Sequence, residues 1–183
     1  MTHEMTDAEL VEQVQAGQSA AMSQLYRRYK TAVFRYTLSK VYDPNLAQDI
    51  TGEIFLRMVA HLPQYKVTDV PFTVWLFRIA RNYIITHLQK ENRYQLMPIS
   101  QTDNLSRAED NPAHIVEAQL ELEWIWRGLQ QLDEQQRDVI VLRFIIGLSL
   151  KEVASTLERT VGAIKTLQHR GITALRVALQ VAR

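Results

Sequence analysis

The sequence contains no cysteine among its 183 residues, and this absence excludes several classes of chemistry. Disulfide bonds, a thiol nucleophile, cysteine-ligated zinc and thiol redox sensing all require that side chain. No stretch reaches the roughly 18–20 consecutive apolar residues that a membrane-spanning helix needs. The N-terminus, Met-Thr-His-Glu-Met-Thr-Asp-Ala-Glu, is polar and acidic, unlike a secretory signal peptide. We therefore expect a cytoplasmic protein without membrane insertion.

Signatures of catalysis are also missing. The sequence shows no nucleophile–histidine–acid set, no glycine-rich phosphate loop and no cluster with metal-ligand spacing. The five histidines are scattered, and His169 has no second ligand near it in sequence, which argues against a metal site. We expect neither an enzyme nor a bound cofactor.

Two segments lack acidic residues, although the whole chain is nearly neutral with a net charge of +1. Residues 70–90 carry Arg78, Arg81 and Lys90 and no acid. Residues 159–183 carry five cations and again no acid. Cations that are not neutralised within their own segment attract phosphate. The pattern therefore indicates two local surfaces that face an anion.

The apolar residues recur mostly at three- and four-residue spacing, which predicts an all-α chain. Helix starts are marked by Thr6 with Glu9 and by Ser149 with Glu152, both of which form capping-box patterns. Ser19 and the pair Asp43-Pro44 are further caps. The predicted helices cover about residues 7–16, 19–42, 44–62, 71–90, 117–131, 134–146 and 150–157, followed by a long last helix from Val161.

Residues 93–116 differ in composition from the rest, because they are polar, contain two prolines and show no sustained period. Such a segment is typical of a flexible linker. We therefore predict two small helical domains, residues 1–92 and 117–183, joined by this linker. Simple solvation is one interpretation of its acidic residues, and mimicry of nucleic acid is the other.

The segment 70–90 allows two interpretations. It is predicted to be a helix that is buried on most sides and shows water only a narrow basic and amide stripe. A core helix whose arginines extend to the surface would fit this pattern. A nucleic-acid surface would fit it too, with the preceding loop 63–70 as a place for an unstacked base. The predicted stripe consists of Arg78, Asn82, Ile85 and Gln89, with Arg81 beside it.

The C-terminal segment has the helix–break–helix spacing of a helix-turn-helix. Ala154 is the small residue that lets the two helices pack closely, and Val161 and Ile164 anchor the second helix. The opposite side of that helix is basic or polar and carries no acid. Insertion into a DNA major groove and a purely structural helical hairpin are both consistent with this pattern. The polar side contains Gly162, Lys165, Thr166, His169, Arg170, Thr173 and Arg176.

Four motifs carry a resemblance to a known family. Residues 46–55 (Leu-Ala-Gln-Asp-Ile-Thr-Gly-Glu-Ile-Phe) and 72–82 (Phe-Thr-Val-Trp-Leu-Phe-Arg-Ile-Ala-Arg-Asn) resemble region 2 of the extracytoplasmic-function (ECF) sigma factors of bacterial RNA polymerase. Residues 132–154, which begin Leu-Asp-Glu-Gln-Gln-Arg-Asp-Val, and residues 161–171, Val-Gly-Ala-Ile-Lys-Thr-Leu-Gln-His-Arg-Gly, resemble region 4. The two regions stand in the family's order, and the resemblance covers nearly the whole chain.

The resemblance implies a subunit that binds core RNA polymerase and directs promoter-specific initiation. The implied partners are the clamp helices of the largest polymerase subunit, the flap of the second-largest subunit, promoter DNA and an anti-sigma factor. The clamp contacts would be Gln48, Asp49, Glu53, Phe55 and Arg57. The −10 element would be opened and a flipped base held by Tyr65, Lys66, Trp75, Arg78, Arg81 and Asn82. The −35 element would be read by Arg159, Thr160, Gly162, Lys165, Thr166, His169 and Arg170.

The sequence departs from the family pattern at several positions. Glu158 stands where the turn of the helix-turn-helix usually has glycine, so we expect a strained or differently shaped turn. Gly52 replaces a usual glutamine in a clamp contact. Leu167, Ile172 and Thr173 replace basic residues of the last helix.

Two other functions remain as alternatives. A stand-alone regulator could use the same helix-turn-helix as a dimer on a palindromic site, but it would have no need of the first domain. An enzyme would need the catalytic signatures that the sequence lacks.

Overall fold

The computed structural model describes residues 5–67, 70–95 and 125–181, and every regular element in these ranges is helical. The predicted all-α fold is therefore confirmed. Most of the predicted linker 93–116 and the start of the predicted helix 117–131 lie outside the described residues. The helices are α1 (Asp7–Gln15), α2 (Ser19–Val41), α3 (Pro44–His61), α4 (Phe72–Gln95), α5 (helical over 125–130), α6 (Glu134–Ile140), α7 (Leu150–Thr156) and α8 (Val161–Val181), with a 3₁₀ turn at Leu62–Gln64 and a π turn at Val141–Ile145.

The helix caps largely follow the sequence pattern. The Thr6 hydroxyl accepts from the Glu9 amide at 3.3 Å, and Ser149 begins α7 with the same reciprocal box. The Asp43 carboxylate accepts from two amides at the start of α3. The predicted cap Ser19 is wrong, because Ser19 is the first residue of α2 and its predecessor makes no side-chain cap. The two capping boxes fix where α1 and α7 begin.

Helices α1–α4 form the N-terminal domain, whose core lies between the inward faces of α2, α3 and α4. Tyr36 of α2 meets Phe77 of α4 edge to face, with ring centroids 5.6 Å apart. Helix α1 packs across α2 through the buried Leu10. Arg28 of α2 also donates to the Asp7 carboxylate at 2.5 Å, which holds the start of α1 in place. Helix α4 is therefore held in place by its packing against α2 and α3.

Helices α5–α8 form the C-terminal domain, in which α8 packs on α6 and α7. The predicted continuous helix to residue 146 is wrong in its last part. The amide of Ile146 donates to the Val141 carbonyl at 3.0 Å, which is the wider π spacing. Arg143 donates to the Leu148 carbonyl at 2.8 Å and so gives this backbone oxygen, which follows the π turn, a hydrogen-bond partner. Apolar periodicity does not encode this one-residue insertion, which leaves Phe144 56% exposed.

The turn between α7 and α8 is strained at Glu158, which is one of the two outcomes that the sequence predicted. Glu158 adopts a left-handed conformation with φ of 54°. The next amide, that of Arg159, donates to the Ala154 carbonyl at 2.9 Å and closes the end of α7. A non-glycine residue therefore occupies the position that favours glycine.

The two domains lie in direct contact. Helix α4 packs against α7, and α2 packs against the π turn. Buried side chains of both domains belong to one continuous apolar cluster. One face of the N-terminal domain is therefore covered by the helix-turn-helix.

Candidate nucleic-acid interfaces

The exposed side of α8, which we call the reader face, is built as the sequence predicted. Ile164 is fully buried against the rest of the domain, and this anchoring turns the opposite side of the helix to solvent. The seven residues predicted to read the −35 element are all exposed: Arg159, Thr160, Gly162, Lys165, Thr166, His169 and Arg170.

The cations of the reader face are available to an anion. Lys165 and Arg170 are exposed, and α8 has no acid in its first turn, whereas Arg159, which is also exposed, lines a small cavity with Glu134 and Asp138. Thr160 has a structural task as well, because its hydroxyl accepts from the Ala163 amide at 3.2 Å and caps α8. The helix N-terminus adds partial positive charge at the same end. This end can therefore bind phosphate, and an α-helix fits the width of a DNA major groove.

The loop before α4 is held by an aromatic contact with α4 and by hydrogen bonds from the side-chain amide of Gln15 in α1. Tyr65 lies against Trp75, with ring centroids 4.7 Å apart, and its hydroxyl donates to the Val70 carbonyl at 3.2 Å. The Gln15 side chain donates to the Tyr65 carbonyl at 2.7 Å. Lys66 remains exposed beside this cluster. Gln15 was missed by sequence reasoning, because nothing in a local pattern reveals a contact 50 residues away.

Asn82 is exposed and lines a groove between α3 and α4, which we call the α3–α4 groove, with a volume of about 410 Å³. The guanidinium of Arg57 lies 4.0 Å from the centre of the Tyr83 ring in this groove. The predicted −10 set did not include Thr86 and Lys90, although their four-residue spacing from Asn82 places them on the same face. The groove is lined by Arg57, His61, Ile79, Asn82, Tyr83, Thr86, His87 and Lys90.

Arg78 and Arg81 face the C-terminal domain instead. Arg78 donates to the Ser155 carbonyl of α7 through Nε at 3.0 Å and Nη2 at 2.7 Å, and to the Ser155 hydroxyl at 3.0 Å. Arg81 lines a cavity of about 180 Å³ together with Glu134, Asp138 and other residues of both domains. The prediction of a solvent-facing stripe is therefore wrong for Arg78. Periodicity within one helix cannot tell an interdomain contact from a surface.

A second groove runs between α2 and α3, with a volume of about 1090 Å³. Of the predicted clamp contacts, Gln48, Asp49 and Glu53 are exposed along it. Phe55 is only 6% exposed and packs edge to face on Tyr26, so it forms part of the buried base of the groove. Arg57 donates to Glu53 at 2.7 Å and also borders the α3–α4 groove. Three exposed apolar side chains of this groove were missed by sequence reasoning: Tyr26, Leu56 and Val59.

Three ionisable groups with raised pKa values lie inside the fold. Burial raises the pKa of the Tyr29 hydroxyl, and the Asp7 carboxylate to which it donates adds to the rise. Burial also raises the pKa of Tyr36 well above its usual value, and the negative charge of Asp138 contributes. The pKa of Asp138 itself is raised by burial, although the adjacent Lys40 ammonium opposes the rise. These three groups serve the packing of helices and domains.

Within the described ranges, none of the helices combines the length and the apolar character required to cross a membrane. In the same ranges, no three potential ligand side chains converge as a metal site.

Comparisons with known proteins agree with the division into two regions. The family model of Sigma-70 region 2 matches residues 25–94, and that of Sigma-70, region 4 matches residues 128–177. The chain is 34% identical over 168 residues to the ECF RNA polymerase sigma factor BldN of Streptomyces coelicolor, covering 91% of this chain and 63% of that protein. It thus spans less than two thirds of the length of BldN. It is 31% identical to SigL of Mycobacterium tuberculosis, covering 90% of this chain and 92% of SigL. It is 30% identical to SigW of Bacillus subtilis, covering 97% of this chain and 98% of SigW.

Solved structures show the same fold. CnrH in complex with the cytosolic domain of CnrY superposes with a TM-score of 0.73 at 26% identity, covering 97% of this chain and 99% of CnrH. The sigma factor RpoE of Bartonella quintana, in complex with the anti-sigma factor NepR, superposes with a TM-score of 0.69 at 21% identity over 88% of this chain and 98% of RpoE. With both regions matched in order and relatives aligned over almost their whole length, the chain belongs to the ECF sigma factors of RNA polymerase.

Proposed function

We propose that this chain acts as a dissociable initiation subunit that has no catalytic activity of its own and works in the cytoplasm. The observation that carries the proposal is the exposed, acid-free reader face in a chain whose two halves match sigma regions 2 and 4. Synthesis of the phosphodiester bond would belong to the polymerase. The chain would supply promoter recognition and the energy for strand separation.

The reader face would bind the −35 element as duplex. Lys165 and Arg170 would contact phosphates, which release counterions and make binding depend on salt. Thr166 and His169, one turn apart on the same exposed face, would reach base edges in the major groove. Positioning would therefore come from the cations and sequence preference from the neutral side chains.

The N-terminal domain would hold the −10 element as single strand. Removing a base from the stack costs a few kcal/mol, and capture of the base in a pocket offsets that cost. The α3–α4 groove offers the amide of Asn82 for a base edge, the Tyr83 ring, and the cation Lys90 for a phosphate. Tyr65 and Lys66 lie on the preceding loop, and the Tyr65 ring contacts Trp75 in the first turn of α4. Arg78 and Arg81 would join this surface only after the C-terminal domain moves away.

Two further surfaces fit the polymerase. The α2–α3 groove combines acidic and amide side chains with exposed apolar ones, and we assign it to the clamp helices. An apolar groove of about 570 Å³ lies between the π turn and α8. Phe144, left exposed by the π turn, and Leu175 line it. We assign this groove to the flap, because apolar side chains grouped in a concave surface are typical of protein interfaces.

An anti-sigma factor would be the regulatory partner. CnrH is solved with the cytosolic domain of CnrY, and the RpoE of Bartonella quintana with the anti-sigma factor NepR. This chain resembles CnrH over nearly its whole length, including both domains. A protein that covers the DNA-binding surfaces in the free state would keep the chain from the polymerase.

Run-off transcription tests the proposed function. Core RNA polymerase is incubated with fragments of the source genome, with and without the protein, and the transcripts are mapped. We expect discrete new start sites that require the protein, with shared −35 and −10 sequences upstream. Dimeric binding to duplex DNA, without core binding and without new transcripts, would instead identify a stand-alone regulator.

A further inference from the structure

We propose that a buried ion pair between Lys40 and Asp138 locks this chain in a closed, autoinhibited form. Lys40 belongs to α2 of the N-terminal domain, and Asp138 belongs to α6 of the C-terminal domain. The lysine Nζ lies 2.5 Å from the Asp138 carboxylate and 3.1 Å from that of Glu134. This inference rests on the proposed function, since it concerns the same DNA-binding surfaces.

Burial makes the pair decisive for domain closure. Lys40 is 8% exposed and Asp138 is 5% exposed, so both charges are withdrawn from water where the two domains meet. A buried charge is tolerated when its partner is in place and is strongly unfavourable when the partner is removed. When the domains separate, each group can be solvated by water. Loss of one partner therefore penalises the closed form alone.

The surroundings of the pair complete a mixed-charge cluster between the domains. The Tyr36 hydroxyl of α2 donates to the same Asp138 oxygen at 3.5 Å. Arg81 of α4 and Arg159 of the reader face line the small cavity beside Asp138 and Glu134. The two acids thus face cations of both domains: Lys40, Arg81 and Arg159. Without Asp138, these three positive charges would approach one another with little compensation.

Closure conceals a part of the proposed −10 surface. The Arg78 guanidinium donates three hydrogen bonds to Ser155 of α7. Arg78 cannot neutralise a phosphate of single-stranded DNA while it is held there. Thr73 of α4 also lies 3.5 Å from the Glu152 carboxylate of α7. The lock therefore holds α7 over the surface that must meet the non-template strand.

The lock can be tested by removing and restoring the pair. Lys40→Met leaves Asp138 buried without its ammonium, and Asp138→Asn removes the buried carboxylate and leaves the lysine beside the exposed carboxylate of Glu134. The double variant Lys40→Met with Asp138→Leu replaces both charges by apolar side chains, which is often neutral or stabilising for a buried pair. Arg35→Met is the control, because Arg35 is exposed on the same helix. All variants are checked for helix content by circular dichroism.

Two measurements follow the closed form in the free, full-length protein. Because the chain has no cysteine, fluorophores can be attached at two introduced cysteines, Gln24→Cys in α2 and Gln130→Cys in α5, which are both exposed positions. Energy transfer between them reports domain separation. Binding of a single-stranded oligonucleotide carrying the −10 sequence found by run-off mapping reports access to the −10 surface.

We expect each single variant to lower energy transfer and to raise oligonucleotide affinity by about tenfold, which corresponds to a rise of the open fraction from about one tenth to nearly all molecules. The double apolar variant should recover the wild-type values, and Arg35→Met should not change them. Unchanged energy transfer and affinity in both single variants would overturn the lock. A double variant as open as the single ones would also overturn it.

The two proposals fail in different ways. If wild-type protein directs no transcription with core polymerase, the proposed function fails, while the energy-transfer result still decides whether the domains are locked. If wild-type protein and both single variants direct transcription equally well but energy transfer is unchanged, the sigma function stands and the lock does not exist. If a single variant loses its helix content, the other single variant decides, because each removes one half of the same pair.

Discussion

At the scale of single residues, Asn82 is the side chain with the most specific proposed task. It is exposed in the α3–α4 groove and lies away from the α2–α3 groove. We expect Asn82→Ala to reduce formation of the open promoter complex by about tenfold, since a hydrogen-bonded contact to a base edge is worth about 1–3 kcal/mol. Binding to core polymerase should stay unchanged. Fluorescence of a base analogue in the −10 element measures opening, and anisotropy measures core binding.

A matched variant sharpens that prediction. Asn82→Asp keeps the size of the side chain but loses the amide donor, so it should fail to open the promoter as well. Gln89→Ala changes an exposed amide further along α4 that does not line the groove, and it should open the promoter normally. An equal loss of core binding and opening in Asn82→Ala would remove Asn82 from base capture.

Lys165 and Arg170 are predicted to act through charge. Both are exposed on the reader face. Each substitution to alanine should weaken promoter binding and reduce the slope of log K against log salt by about 1, as expected for one lost phosphate contact. Arg35→Ala, exposed in the other domain, serves as the control for net charge. Salt slopes that are identical in all four proteins would mean that the reader face does not touch DNA.

At the scale of helices, two glycines inside helices have opposite environments. A Cβ at Gly52 in α3 would meet no atom within 4 Å, whereas a Cβ at Gly171 in α8 would lie 2.9 Å from Cγ1 of Ile140. Gly52→Ala should therefore raise the free energy of unfolding by about 1 kcal/mol. Gly171→Ala should lower it by about 1–3 kcal/mol, because α8 and α6 would be forced apart. Urea unfolding of the two variants measures both changes.

The opposite result would be informative for each glycine. A destabilised Gly52→Ala protein would mean that the groove side of α3 is packed in solution. An unchanged Gly171→Ala protein would mean that Ile140 moves aside without cost. Gly52 borders the α2–α3 groove, so run-off activity of Gly52→Ala with core polymerase also tests whether that groove tolerates a methyl group.

Helix boundaries could be predicted from sequence wherever a local chemical signal exists. Thr6, Asp43 and Ser149 cap the helices they were predicted to cap, because a cap is formed by residues within one turn. The π turn after Ile140 could not be predicted, since an inserted residue leaves the surrounding apolar pattern intact. The close approach at Gly171 could not be predicted either, because it depends on how α8 crosses α6.

At the scale of the whole molecule, the exposed surfaces were easier to predict than the contact between domains. The exposure of the seven predicted −35 residues is confirmed, because an amphipathic helix shows its solvent side in its own sequence. The apolar Ile172 and Val177 of α8 are exposed as well. Arg78 was predicted to face solvent by the same rule, yet it donates to Ser155 of the other domain. Lys40 likewise gives no local sign that Asp138 will neutralise it. Polar residues that face another domain recur along a helix with the same periodicity as polar residues that face solvent.

The closed molecule should lose stability at alkaline pH. The pKa of Tyr36 is raised well above its usual value near 10 by burial and by Asp138, and that of Tyr29 by burial and by Asp7. The folded form therefore keeps both hydroxyls protonated where the unfolded chain ionises them. The stabilisation is fully present below pH of about 10 and falls above it, by about 1.4 kcal/mol per pH unit for each such tyrosine.

Urea unfolding between neutral pH and about pH 11 measures this dependence, a range that spans the usual tyrosine pKa near 10. Tyr36→Phe removes the ionising group from both the folded and the unfolded state. The decrease of its free energy of unfolding with pH should therefore be smaller than that of the wild type, and the difference between the two slopes should be about 1.4 kcal/mol per pH unit. Tyr26→Phe is the control on the same helix, because the Tyr26 ring is 45% exposed. An identical alkaline slope in wild type and Tyr36→Phe would mean that the Tyr36 hydroxyl reaches water, as it would if the domains were apart. The slope thus reports on the same interface as the Lys40–Asp138 lock without changing either charge.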